Sequence, residues 1–103
     1  MKTTSKATAP QRIRFRLPFL PAQRVNLAGS FNNWDPDQLA LLDVGGKHWE
    51  IEIPLPAGTH EYRFVVDGRW MTDPSNSQTV PNGFGHFNSV ITVPASRSRK
   101  AKS

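Results

Sequence analysis

One hundred and three residues, 13 of them Lys or Arg and 8 Asp or Glu, give a formal charge of +5 on a chain without cysteine. That length fits one domain with a modest core, and the missing thiols exclude disulfides, thiolate metal sites and a Cys nucleophile. Six of the cations are Lys2, Lys6, Arg97, Arg99, Lys100 and Lys102, whereas residues 11–94 carry seven basic and eight acidic side chains. The domain itself is therefore near neutral, which argues against a specific nucleic-acid surface, because a basic stripe would lie on the fold. No apolar run reaches bilayer length and no apolar h-region follows Lys2 and Lys6, so a cytoplasmic protein with no membrane partner is expected.

Residues 1–10, rich in Lys, Thr, Ser and Ala, and the basic residues 95–103 read as disordered tails around one domain at 11–94. Ile13, Phe15 and Leu17 alternate with Arg12, Arg14 and Arg16, the pattern of a half-buried strand. Val25 and Leu27 continue toward Gly29, with Phe31 turned into the core. Leu39 to Leu42 is a short apolar run closed by Asp43-Val44-Gly45-Gly46. His48 to Ile53 forms the next strand, with Trp49, Ile51 and Ile53 inward and His48, Glu50 and Glu52 outward. Pro54 to Gly58 reads as a connection.

Thr59 to Val66 enters the Asp67-Gly68 pair, a favoured two-residue hairpin turn. Folding in register sets Val66 opposite Arg69, Val65 opposite Trp70 and Phe64 opposite Met71. Tyr62, Phe64, Val66 and Met71 then share the core face, while Arg63, Val65 and Trp70 share the other. Asn88 to Val93 is the last strand, ended by Pro94. Short strands at this spacing, with 9 prolines and 7 glycines between them, predict an all-β antiparallel sandwich.

The three tryptophans differ in setting. Trp49 is written into a strand as a core residue. Trp34 sits among turn formers, after Asn32-Asn33 and before Asp35-Pro36, and Trp70 follows the hairpin turn. Large rings at such places predict an apolar platform suited to the flat faces of sugars.

The run Val25-Asn26-Leu27-Ala28-Gly29-Ser30-Phe31-Asn32-Asn33-Trp34 is followed by Trp49-Glu50, Gly58, the stretch Glu61 to Trp70, Asp73-Pro74 and Asn88-Ser89-Val90. Together, over residues 13 to 93, these resemble carbohydrate-binding module family 48, the glycogen-binding domain of AMP-activated protein kinase β subunits. Isoamylases and branching enzymes carry a similar N-terminal module. The resemblance implies an early-set immunoglobulin-like sandwich of seven or eight strands that binds α-1,4-linked glucans. It also implies site roles for Trp34 and Trp70, which cradle sugar, and for Asn88, which hydrogen-bonds hydroxyls. Arg63 corresponds to a lysine of the family, Phe84 to a leucine that projects into the glucan, and His86 to a threonine.

Catalysis finds little support. His48, His60 and His86 lack paired metal-site spacing, so no metal or cofactor is expected. Glycosidases need two carboxylates across the scissile bond, but Asp35 and Asp37 in one loop and Asp67 and Asp73 near Trp70 have turn and cap explanations, Asp35, Asp67 and Asp73 each preceding Pro or Gly. The expected function is non-catalytic binding of glycogen, starch or maltooligosaccharides. The rival is a structural or protein-interaction module that docks onto a glucan-metabolising enzyme or a kinase-like partner.

Overall fold

A computed structural model describes residues 10–95; the expected tails, 1–10 and 95–103, lie outside the described residues except for Pro10 and Ala95. The chain forms β1 (Gln11–Pro18), β2 (Val25–Gly29), β3 (Leu39–Ala40), β4 (Leu42–Val44), β5 (His48–Leu55), β6 (Gly58–Val66), β7 (Arg69–Met71), β8 (Thr79–Pro81) and β9 (Phe87–Val93). These make two antiparallel sheets, β1-β5-β4 and β3-β2-β6-β9-β8, with β7 also paired to β6. The expected all-β sandwich is present, with two very short strands, β3 and β4, raising the count above the family expectation. Among the described residues no helix is long and apolar enough to cross a membrane.

The core lies between the inner faces. Phe15 and Leu17 of β1 and Trp49 and Leu55 of β5 meet Val25, Leu27, Tyr62, Phe64 and Val93 of the larger sheet. Phe15 meets Tyr62 edge-on at 4.9 Å between ring centroids, and Tyr62 meets Phe64 the same way at 5.9 Å. Each such side chain contributes about 1.5–3 kcal/mol when fully removed from water. Trp49 is the core tryptophan expected from its strand, and its indole N–H donates to the carbonyl of Leu20 at 3.2 Å. Outside, the arginines of β1 face the acids of β5: Arg16 lies opposite Glu50 and Arg14 opposite Glu52. A hydrogen bond from His48 at 2.9 Å, reinforced by Arg16 and Arg14, holds the half-buried Glu50 carboxyl below the usual carboxylate range.

Two expectations are corrected. The Leu39–Leu42 run is not one strand: β3 pairs with β2 and β4 with β5, so the chain changes sheets at Leu41, which is buried. The strand from His48 also runs past Ile53, with Pro54 opposite Arg12 in β1. Its proline is tolerated because β4 pairs only with His48, Trp49 and Glu50. The rest of β5 is a sheet edge on that side, where a missing N–H costs no ladder bond.

The hairpin register is as expected from Asp67-Gly68: Val66 pairs Arg69, Val65 pairs Trp70 and Phe64 pairs Met71. Asp67 and Gly68 both take positive φ, 49° and 87°, the geometry of a type I′ turn. The Asp67 carboxylate also accepts the backbone N–H groups of Gln23 and Arg24, each at 2.9 Å, which ties the turn to the start of β2.

Candidate carbohydrate-binding site

Strand β6 positions the site because its two neighbours on one side take turns. From Gly58 to Tyr62 it pairs with β9, and from Phe64 to Val66 it pairs with β7. Arg63 lies where β7 and β9 part, so its side chain emerges between Trp70 on one and Asn88 on the other. On the other side of β6, Arg63 pairs with Ala28 of β2.

Trp34 reaches the same place by a loop that tolerates little change. Any Cβ on Gly29 would lie 2.5 Å from the Glu61 carbonyl oxygen and 2.6 Å from the Phe31 ring, so only glycine fits there. Ser30 donates its backbone N–H to that carbonyl, and Phe31 packs against the core. The Asn32 side chain pins both ends of the turn: its oxygen accepts the Gly29 N–H at 2.9 Å and its amide donates to the Asp35 carbonyl at 3.1 Å. Asn33 and Trp34 then both adopt φ 57°. Asparagine visits this left-handed region readily, whereas a tryptophan held there is strained, of a kind that clusters at ligand sites.

The Trp34 and Trp70 rings stand 6.4 Å apart at 43°, an open angle rather than a stack. They border a cleft of about 450 Å3 whose wall also includes Arg63, Phe84 and Asn88. All five residues expected at the site therefore meet in one place. Trp70 is 40% exposed and Phe84 86%, so most of the Phe84 ring is available to a ligand. His86 is exposed in the Phe84 loop and does not line this cleft. Val65, expected on the outer face, does share it but is buried there.

Two lining residues, Glu61 and Asn82, escaped the sequence reading as site residues. Glu61 stands two positions before Arg63 on the same strand, so strand periodicity carried its signal. It accepts a 2.9 Å hydrogen bond from the Asn88 amide. A carboxylate can only accept, so the Asn88 amide group must face Glu61 and its carbonyl oxygen must point elsewhere. Asn82 organises the loop, its side-chain oxygen accepting the backbone N–H of Phe84 at 2.8 Å and of His86 at 3.2 Å. Only the closed loop reveals that role.

Arg63 is the electrostatic centre. Burial pushes its guanidinium below the ordinary arginine value, and its Nε is buried without a hydrogen-bond partner among the described residues. Leaving a buried donor unmatched costs about 1–3 kcal/mol, and the residue itself lines the cleft. The aspartates, by contrast, are committed to the fold. Asp73 accepts the Tyr62 hydroxyl at 2.6 Å, Asp35 accepts the Asp37 N–H, and Asp67 holds its turn. Among the described residues, Glu61 is the one carboxylate in the cleft wall.

The chain is also similar in sequence to known proteins. The family described as the glycogen recognition site of AMP-activated protein kinase matches residues 10–99. The 5'-AMP-activated protein kinase subunit beta-1 of Sus scrofa is 41% identical over 71 residues, covering 69% of this chain and 55% of that sequence. Its Bos taurus counterpart is 42% identical and the Mus musculus subunit beta-2 is 38% identical, each over 71 residues and 25% of the relative's length. The chain thus spans about half of one such relative and a quarter of the others. By the extent of these matches, the chain belongs to the AMP-activated protein kinase glycogen-recognition family, the carbohydrate-binding modules that its sequence resembles.

Proposed function

We propose that this domain binds α-1,4-linked glucans, such as glycogen, starch chains or maltooligosaccharides, without catalysing their reaction. The observation that carries the reading is the open Trp34–Trp70 pair, which shares one cleft with Arg63 and Asn88. Apolar sugar faces stack on the rings while Arg63 and Asn88 bond the hydroxyls. Phe84 projects against the ligand from the glycine-flanked loop. Among the described residues a single carboxylate, Glu61, lies in the wall, whereas glycoside hydrolysis needs two across the scissile bond. The cytoplasmic location expected from the sequence belongs to the same proposal.

Each stacked ring removes on the order of 80 Å2 of apolar surface from water, or roughly 2 kcal/mol. Two rings plus hydrogen bonds, less the ordering cost, correspond to a Kd of about micromolar to millimolar. Repeated sites on a polymer raise that through avidity.

Electrophoresis of the chain through gels with and without glycogen tests the reading. Retardation by glycogen or amylopectin, with little by cellulose, is expected; unchanged mobility of a folded sample in every α-glucan would end it. A second reading, docking onto a kinase or a glucan-metabolising enzyme, is favoured by the relatives being kinase subunits. Leu42 and Val44, exposed on the smaller sheet, offer apolar surface for such a partner. Glucan retardation that survives Trp70→Ala would pass the aromatic face to that role.

A further inference from the structure

The outer face that carries the site continues past the tryptophan pair. Glu61, Arg63 and Val65 alternate along β6, and the β2 register sets Ala28 beside Arg63 and Asn26 beside Val65. Beyond Trp70 this face holds a second cleft, of about 480 Å3. Trp70 borders both clefts, with Arg63 and Asn88 on one side and Asn26 and Val65 on the other. Pro36, two residues after Trp34, lies in the wall of the second cleft, so the platform loop borders both. The two clefts adjoin at Trp70, and each has a volume typical of small-ligand sites.

Asn26 marks the second cleft as a binding place. Among the described residues it is one of four buried polar ones, at 4% exposure. The other three are used by the fold: Asp73 accepts the Tyr62 hydroxyl, Ser89 accepts the Asp73 N–H, and Asn88 donates to Glu61. The Asn26 side chain has no such partner among the described residues, and it lies in the cleft wall. An amide offers a donor and an acceptor side by side, which matches adjacent hydroxyls of a hexose. At the rim, the Arg24 guanidinium and Asp37 carboxylate meet at 3.4 Å. Val65 supplies apolar floor.

We propose that this second cleft is a further hexose subsite for the same glucan chain, with Asn26 as the residue that bonds its hydroxyls. The inference rests on the glucan reading above. A chain stacked on Trp34 and Trp70 extends over Trp70 into the second cleft, so longer oligosaccharides gain contacts that short ones lack.

Titration calorimetry of the full chain with maltotriose and with maltoheptaose tests this. The wild type should bind maltoheptaose more tightly than maltotriose, and Asn26→Leu should erase most of that difference, about fivefold, while leaving maltotriose affinity unchanged. Leucine removes both polar groups at similar volume and breaks no side-chain hydrogen bond to the described residues, so the melting temperature should change little. In parallel, the Asn26 side-chain amide resonances should shift with maltoheptaose and stay put with maltotriose, a readout that needs no variant. The subsite is overturned if wild-type affinity ignores chain length. It is also overturned if Asn26→Leu weakens both sugars equally or neither, or if those resonances ignore maltoheptaose. Failure of the wild type to bind either sugar would instead overturn the glucan reading, and the subsite with it.

Discussion

Single side chains divide between holding the sandwich and lining the candidate site, and the tryptophans show the division best. Trp49 is 7% exposed among core residues and Trp70 40% exposed on the hairpin. Trp49→Ala should cost about 3–5 kcal/mol, as large core truncations do. Trp70→Ala should leave the melting temperature within a few degrees and remove most glycogen retardation. Paired thermal melts and affinity gels separate the two, and an unfolded Trp70→Ala protein would contradict the site. Tyr62 belongs to the first class. Burial, and then the bond to Asp73, push its phenol pKa well above the ordinary value. A raised pKa means that the folded state favours the protonated phenol. The resulting stability is complete below about pH 10 and is lost as pH rises from there toward the higher folded value. Tyr62→Phe should lower stability by about 1–3 kcal/mol at neutral pH, since Asp73 stays buried with one partner fewer. It should also flatten the loss of melting temperature above pH 10.

At the scale of elements, the site is made by one turn, one hairpin and the divergence of two strands. Gly29→Ala tests the turn. The added methyl meets a backbone carbonyl and the Phe31 ring, neither of which can move freely, so a loss of about 1–3 kcal/mol is expected. Glycogen affinity should fall as well, because the backbone that aims Trp34 must shift; chemical denaturation and affinity gels on one sample measure both. The hairpin was legible in the sequence because a two-residue Asp-Gly turn leaves a single register, which fixes the face that every residue of β6 and β7 occupies. The role of Glu61 was equally available from period two and was overlooked. The parting of β7 and β9 around Arg63 was not legible, since no local pattern states which strands share an edge. Nor was the change of sheet at Leu41, because a run of four apolar residues reads alike in one strand or two. The buried state of Val65 and Asn26 escaped for the same reason: the cover on their face comes from Trp70 and the Trp34 loop, which are distant in sequence.

For the whole molecule, charge and function are separate. Residues 11–94 carry seven basic and eight acidic side chains, and the terminal segments carry six lysines and arginines. The fold closes on itself at its two ends, where the Gln11 side-chain amide donates to the Pro94 carbonyl at 2.7 Å. The arginines of β1 that face outward are met by Glu50 and Glu52. Such exposed pairs contribute roughly 0–1 kcal/mol each and keep that sheet nearly neutral. Neutral glucans give the terminal cations nothing to pair with, so affinity should change little between low and high salt, over which exposed charges are screened. Deleting residues 1–10 and 95–103 keeps the Gln11–Pro94 closure. It should leave the melting temperature and maltoheptaose affinity within error, while reducing adhesion to polyanions. Differential scanning calorimetry and titration at two ionic strengths check this. A truncated chain that melts normally yet loses the sugar would show that the basic ends take part in the site, and the groove built on Trp34 and Trp70 would then be only part of the binding surface.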